Sequence, residues 1–190
     1  MNGKDFGFED LDNLVCKDLP KVTCHWCKKK VRMDKMNFVK LGSRSRAGKI
    51  LYMAYLYLMS KESPNARKHA VKLYDDCCGL EFCEDCLQNT LSPLMNRIDT
   101  ILEEKKLGQV KLFKVGSKIA PQSEDKIFVE SSIHQTRSAA IEHMKMQACL
   151  KGCFAIVDVK WEDYGGIPIL DGQGNEKETH GYHCEGYAIK

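Results

Sequence analysis

Cys24-His25-Trp26-Cys27 and Cys83-Glu84-Asp85-Cys86 are two C-x-x-C pairs in one chain. Each pair wraps a tight turn, so that two thiolates converge on one ion about 2.3 Å away. Two such pairs complete a tetrahedron of sulfur, the usual ligand set of a structural Zn²⁺. Cys24, Cys27, Cys83 and Cys86 are therefore expected to hold one zinc. The 55 residues between the pairs in the sequence do not weigh against this, because loop-closure cost rises only logarithmically with length. A redox role of the thioredoxin type is disfavoured, since neither pair follows a strand and opens a helix within a βαβ unit.

Six further cysteines raise the question of compartment, since the chain has ten. The segment Met1–Asp12 is acidic and polar, without the apolar core of a signal peptide. An intracellular, cytoplasmic location is expected, where cysteines are thiols or metal ligands rather than a disulfide framework. Cys16 has no partner at metal spacing. Cys77 and Cys78 are adjacent, so at most one of them reaches a metal, as an alternate ligand. Cys149, Cys153, His183 and Cys184 form a second candidate set. Neighbouring strand residues point to opposite faces, so His183 and Cys184 cannot easily ligate one ion. Buried apolar filling is the favoured role of these cysteines.

Composition narrows the class. With 43% hydrophobic and 29% charged residues, the chain reads as an ordinary globular protein. A net charge of +3 is too small to argue for nucleic acid by itself. The basic segment 28–46 is more concentrated. Such a run is more often a solvated face; as a binding surface, Lys28, Lys29, Lys30, Arg32, Lys35, Lys40, Arg44 and Arg46 would supply the charge for an anionic partner, nucleic acid or phospholipid headgroups. The longest apolar run, 50–59, is about half of what spans a bilayer.

The elements that position these residues follow from period and punctuation. Residues 31–38 alternate as a short hairpin. Ser45 is placed to cap a helix over 47–61, whose Ile50, Leu51, Ala54, Tyr57 and Leu58 form one stripe. Ser63-Pro64 opens a second helix, to about residue 74. A third begins at Leu87, or restarts at Ser92-Pro93, carries Leu94, Ile98, Ile101, Leu102 and Leu107, and stops at Gly108. Then the period changes. Residues 110–115 and 127–130 read as strands, and 116–125 as a loop. Ser132 with Gln135 reads as a capping box that opens a helix to Leu150. Residues 154–161 and 181–190 read as strands, with the Gly- and Asp-rich 164–179 a loop between them. The class is α+β: a helical zinc-stapled domain over 1–108, then a small β-(β)-α-β-β domain over 109–190.

Two resemblances bear on this division. Cys78-Gly-Leu-Glu-Phe-Cys83-Glu-Asp-Cys86 resembles the second half of treble-clef zinc fingers, closest to the C-G-x-x-F-C-x-x-C run of the FYVE group. This implies a first knuckle on a hairpin, Cys24 and Cys27, and a second at a helix start, Cys83 and Cys86. Asp75 stands where that group has a further cysteine, and its basic lipid-binding run is absent. One zinc is therefore implied, without phosphoinositide binding. Residues 137–160, with Gly186-Tyr-Ala-Ile-Lys190, resemble the helix-glycine-strand core and closing strand of a bacterial family of small proteins labelled heavy-metal-binding. That resemblance implies a dodecin-like unit, of a kind that assembles into homo-oligomers by sheet edges.

No Ser-His-Asp order, nucleotide-binding glycine loop or H-E-x-x-H is present, and no carboxylates are visibly paired for acid–base work. The expected function is a non-enzymatic intracellular zinc-binding module that scaffolds a protein partner. The alternatives are a binder of anionic partners, contacted first through Lys28, Lys29, Lys30 and Arg32, and a thiol- or heavy-metal-handling protein.

Overall fold

The computed structural model describes residues 19–40, 45–62, 79–170 and 175–190. The elements are β1 (Lys21–Thr23), β2 (Lys30–Arg32), β3 (Met36–Lys40), α1 (Arg46–Glu62) and β4 (Gly79–Cys83). A helical stretch follows, here called α2: Glu84–Cys86, a π-helical turn Leu87–Leu91, and Ser92–Glu103. The remainder is α3 (Lys106–Gln109), β5 (Lys111–Lys114), β6 (Lys126–Glu130), α4 (Arg137–Leu150), β7 (Ala155–Leu170) and β8 (Glu176–Ile189). The class is thus mixed α+β. No helix among the described residues is long and apolar enough to cross a membrane. The expected helix at 63–74, Cys16, Cys77, Cys78 and Arg44 lie outside the described residues.

α1 forms where the sequence places it. The Ser45 hydroxyl accepts from the Gly48 N–H at 3.0 Å, satisfying one of the free donors of the first turn. Its burial is wider than the expected stripe. Met53, Tyr55 and Leu56 are buried together with Ile50, Leu51, Ala54, Tyr57 and Leu58. A helix apolar on nearly every side belongs in an interior. α1 accordingly packs among α2, β4 and α4, with Leu80, Phe82, Leu91, Leu94, Ile98, Met146 and Leu150 in the same cluster.

α4 serves two cores at once. Ala140, Met144 and Ala148, four residues apart, face the cluster that holds Ile156, Val159, Cys184 and Ala188 of the sheet. Met146 and Leu150 turn to α1 and α2. Polar ties reinforce this seam. The Arg97 guanidinium donates to the Leu150 carbonyl at 2.8 Å, capping the end of α4, and the Lys145 ammonium donates to the Leu107 carbonyl at 3.1 Å.

The sheet runs β5-β7-β8-β6. β5 is parallel to β7; β8 is antiparallel to both β7 and β6. Two expectations fail here. The supposed loop 164–179 is mostly strand: β7 and β8 pair out to Leu170 and Glu176 as a long hairpin arm. Two irregularities let this arm bend, one beside Asp158 at φ 54° and one at Gly166 at φ 66°. The helix expected from Ser132 starts instead at Arg137. Thr136 is its N-cap, accepting from the Ala139 N–H at 3.2 Å. The Ser132 N–H is taken by a tertiary bond described below, so the local capping box loses to packing.

At Gly186 β8 lies tight against β7. A Cβ built there would lie 2.9 Å from Ile156 Cγ2 and 2.9 Å from the Val157 carbonyl oxygen. Backbone cannot yield cheaply. Gly186→Ala is expected to lower the unfolding free energy by about 1–3 kcal/mol, read from urea midpoints; an unchanged midpoint would show that the strands separate freely.

Candidate metal centre

β1 and β2 form a short antiparallel ribbon whose tip is the first knuckle. The Cys24 N–H donates to the Lys29 carbonyl at 2.9 Å and the Lys28 N–H to the Cys24 carbonyl at 3.0 Å. Lys28 closes the turn with a left-handed backbone, φ 61°, and its ammonium donates to the His25 carbonyl. The second knuckle starts where β4 ends: Cys83 is the last strand residue, and Cys86 lies in the first turn of α2. β4 draws the knuckles together. The His25 N–H donates to the Glu81 carbonyl at 2.7 Å, and the Cys83 N–H to the Cys24 sulfur at 3.3 Å. His25 also anchors the first knuckle to α1, through its Nε2 contact with the Tyr55 hydroxyl at 3.1 Å.

All four sulfurs lie within 4.8 Å of one another. Cys27 Sγ and Cys83 Sγ are 3.8 Å apart. A tetrahedron with arms of about 2.3 Å has edges of about 3.8 Å, so the spacing suits one thiolate-bound ion. It is far too long for a disulfide, whose sulfurs are about 2 Å apart, and all four cysteines are free. Cys24, Cys83 and Cys86 are buried and Cys27 is half-buried, with Val31, Met36 and Trp26 packed against them.

The thiols are electrostatically unequal. Burial pulls Cys24 upward, but N–H donors of Cys83, Cys27 and Trp26 outweigh it and bring the thiol down to about 6. Burial, together with the neighbouring sulfurs, pushes Cys86 well up; burial also raises Cys83. One thiolate is thus ready at neutral pH, and a cation must displace protons from the raised pair. Ion uptake at this site therefore releases protons and strengthens as pH rises.

The other candidates separate. Among the described residues, no second group of three or more His, Cys, Asp or Glu is gathered so as to hold a metal ion. Cys153 and Cys184 fill the sheet core and Cys149 packs against it. Burial raises all three thiols, Cys184 to about 11, which keeps them protonated and poorly nucleophilic at neutral pH. Lys28, Lys29, Lys30, Arg32 and Lys35 are exposed. Arg32 pairs with Asp34, and Arg46 with Asp99 and Glu103. The Lys40 side chain is outside the description.

One cluster had no signal in the sequence. His134, His143 and His183 are buried where the 131–136 segment, α4 and β8 meet. The Ser132 N–H points at His143 Nδ1 (3.0 Å), so that atom is an acceptor. The hydrogen between His143 Nδ1 and His134 Nε2, 3.1 Å apart, then belongs to His134. Gln147 packs against the other His143 nitrogen and donates to the Glu130 carbonyl at 2.7 Å. His183 lies between carboxylates, Nε2 3.4 Å from Glu130 and Nδ1 3.6 Å from Glu162. Burial, then the neighbouring histidines, lowers His143 far below its usual range; burial and His183 lower His134 to about 4. Spacings of nine and forty residues match no ligand motif, so only the fold reveals the cluster.

Comparison of the chain with protein-family models, with curated proteins and with solved structures finds no match in any of the three.

Proposed function

We propose that this chain is a non-enzymatic, intracellular interaction module stapled by one structural Zn²⁺ on Cys24, Cys27, Cys83 and Cys86. The observation that carries the reading is the gathering of four cysteine sulfurs within 4.8 Å of one another. Four thiols, three of them buried, would fill a tetrahedral site and leave no coordination position for water or substrate. Catalytic zinc keeps an open position; structural zinc does not. The first knuckle on a ribbon and the second at a strand-to-helix junction support a treble-clef-like arrangement. In this reading, a zinc-stapled unit over 1–108 carries the α+β unit over 109–190, which offers its sheet edges to a protein partner or a second copy.

The thiols' donor set selects zinc over harder cations, since magnesium and calcium take oxygen ligands. The test is the metal content of purified protein by inductively coupled plasma mass spectrometry. One zinc per chain, falling to near zero in Cys83→Ser/Cys86→Ser, is expected. Metal-free protein with an unchanged fold would overturn the proposal.

A further inference from the structure

The four-stranded sheet has two edges, β5 and β6. An open edge presents a row of N–H and C=O groups that another extended chain can pair with. The two edges of this sheet differ.

Side chains close the β6 edge. The Ser131 N–H bonds the Cys184 carbonyl, so in the alternation of an antiparallel ladder the carbonyls of Phe128 and Glu130 face away from β8. The Phe128 carbonyl accepts from the Lys151 ammonium at 3.2 Å, and the Glu130 carbonyl from the Gln147 amide at 2.7 Å. α4 and its last turn thus stand where a further strand would lie. β5 has no such cover. The Lys111 N–H donates to the Phe154 carbonyl at 3.1 Å, with Lys111 in register with Ala155. Lys111 therefore turns its backbone groups to β7, and Leu112, the next residue, turns its N–H and C=O outward. Among the described residues neither group has a partner, and β5 packs chiefly on β7.

The side chains of this edge define the strand that fits it. Lys111 and Lys114 bound β5; both are exposed, and neither has an ion pair among the described residues. Val115 follows directly and is 58% exposed. Two copies joined at β5 would crowd four lysines into one short seam, and like charges across a sheet are destabilising. Lysines on an edge likewise turn away neutral and basic strands. An acidic strand reverses the sign, because opposite charges across a sheet attract. Nucleic acid or a membrane surface would offer these lysines charge, but neither has an extended peptide backbone to pair with Leu112.

We propose that β5 is the docking edge for an extended acidic segment of a protein partner, which adds to the sheet beside it. The segment's backbone pairs with the Leu112 N–H and C=O, its carboxylates meet Lys111 and Lys114, and an apolar side chain next to them covers Val115. This rests on the reading of 109–190 as the partner-binding unit, and narrows its sheet edges to one.

The test uses the full chain, with zinc content measured separately by mass spectrometry, and a fluorescein-labelled peptide of about ten alternating Glu and Val residues followed by anisotropy. Lys111→Glu/Lys114→Glu is expected to weaken binding about tenfold. The same peptide N-methylated at every residue keeps its charge but loses its donors, and is expected not to bind. In amide hydrogen exchange by NMR, Leu112 is expected to slow about tenfold on saturation with peptide, while Phe128 on the other edge is unchanged. No binding, wild-type affinity in the lysine variant, equal binding of the N-methylated peptide, or slowing along β6 in place of β5 would overturn the proposal. Lys111→Ala/Lys114→Ala, milder than charge reversal, decides the matter should the reversed variant fail to fold. Peptide binding by a metal-free chain would refute the zinc reading and uphold the docking edge; a zinc-loaded chain that ignores the peptide would refute the docking edge alone.

Discussion

Replacing Cys83 by serine is expected to unfold the N-terminal half of the molecule, not merely to empty a surface site. Structural zinc contributes about 10–16 kcal/mol to small zinc-dependent modules, whereas a whole domain is stable by about 5–15 kcal/mol. The proposed metal would tie β1 and β2 to β4 and α2 through Cys24, Cys27, Cys83 and Cys86. The ribbon is three residues per strand, and a two-stranded hairpin of that size is marginal alone. β4, which ends at Cys83, supplies Leu80 and Phe82 to the core around α1. Losing the ion therefore loosens the ribbon first and the packing of α1 on β4 next. Circular dichroism and the fluorescence of Trp26, which packs against the cysteines, should both report it. The same loss should follow zinc chelation of the wild-type protein and reverse on adding zinc back. A variant that keeps the wild-type melting profile would mean that the cluster is a set of packed thiols.

The second large effect is acid destabilisation centred on His134 and His143. An unfolded histidine takes up its proton near pH 6.5. In the folded protein His134 resists protonation until about 4. Between those values the unfolded state binds more protons than the native state, so stability falls as pH falls. The contribution is complete above about pH 6.5 and is lost progressively down to about 4. For His134 it is on the order of 3 kcal/mol, at about 1.4 kcal/mol per unit. His143 adds to it in the same direction. Its Nδ1 is met by the Ser132 N–H and by His134 Nε2; a proton there would face two donors and no acceptor. The cluster joins the 131–136 segment to α4 and β8, and the His134 ring meets Tyr52 of α1 edge-on, centroids 6.2 Å apart. Acid should therefore loosen the junction of the helical core and the sheet. Urea midpoints at pH 7.5, 6 and 5 test this against His134→Gln/His143→Gln. The metal site also weakens in acid, but equally in both proteins, so their difference isolates the histidines. Parallel curves would contradict the assignment.

Much of the candidate site was legible because its chemistry is local. Each C-x-x-C turn is written in four consecutive residues, and the ring of four needs only that the turns meet. α1 was legible for a similar reason: Ser45 and an apolar run define it, although its burial on nearly all sides is a property of its neighbours. What depended on distant partners was not. Gly165, Gly166 and Pro168 read as loop residues, yet the register that sets Glu162 opposite His183 and Asp163 opposite Tyr182 draws them into a strand. Ser132 and Gln135 read as a capping box, yet His143, eleven residues on, takes the Ser132 N–H. The buried histidines share no spacing at all. The basic run was visible, but its ordering into one face required the pairing of Lys21 with Arg32.

The central claim is that four sulfurs, and only sulfurs, surround one zinc. X-ray absorption at the zinc edge of the purified protein measures this directly. The account predicts a single shell of four sulfurs at about 2.3 Å, with no nitrogen or oxygen in it. A mixed shell that includes a light atom at about 2.0 Å, or fewer than four sulfurs, would contradict it.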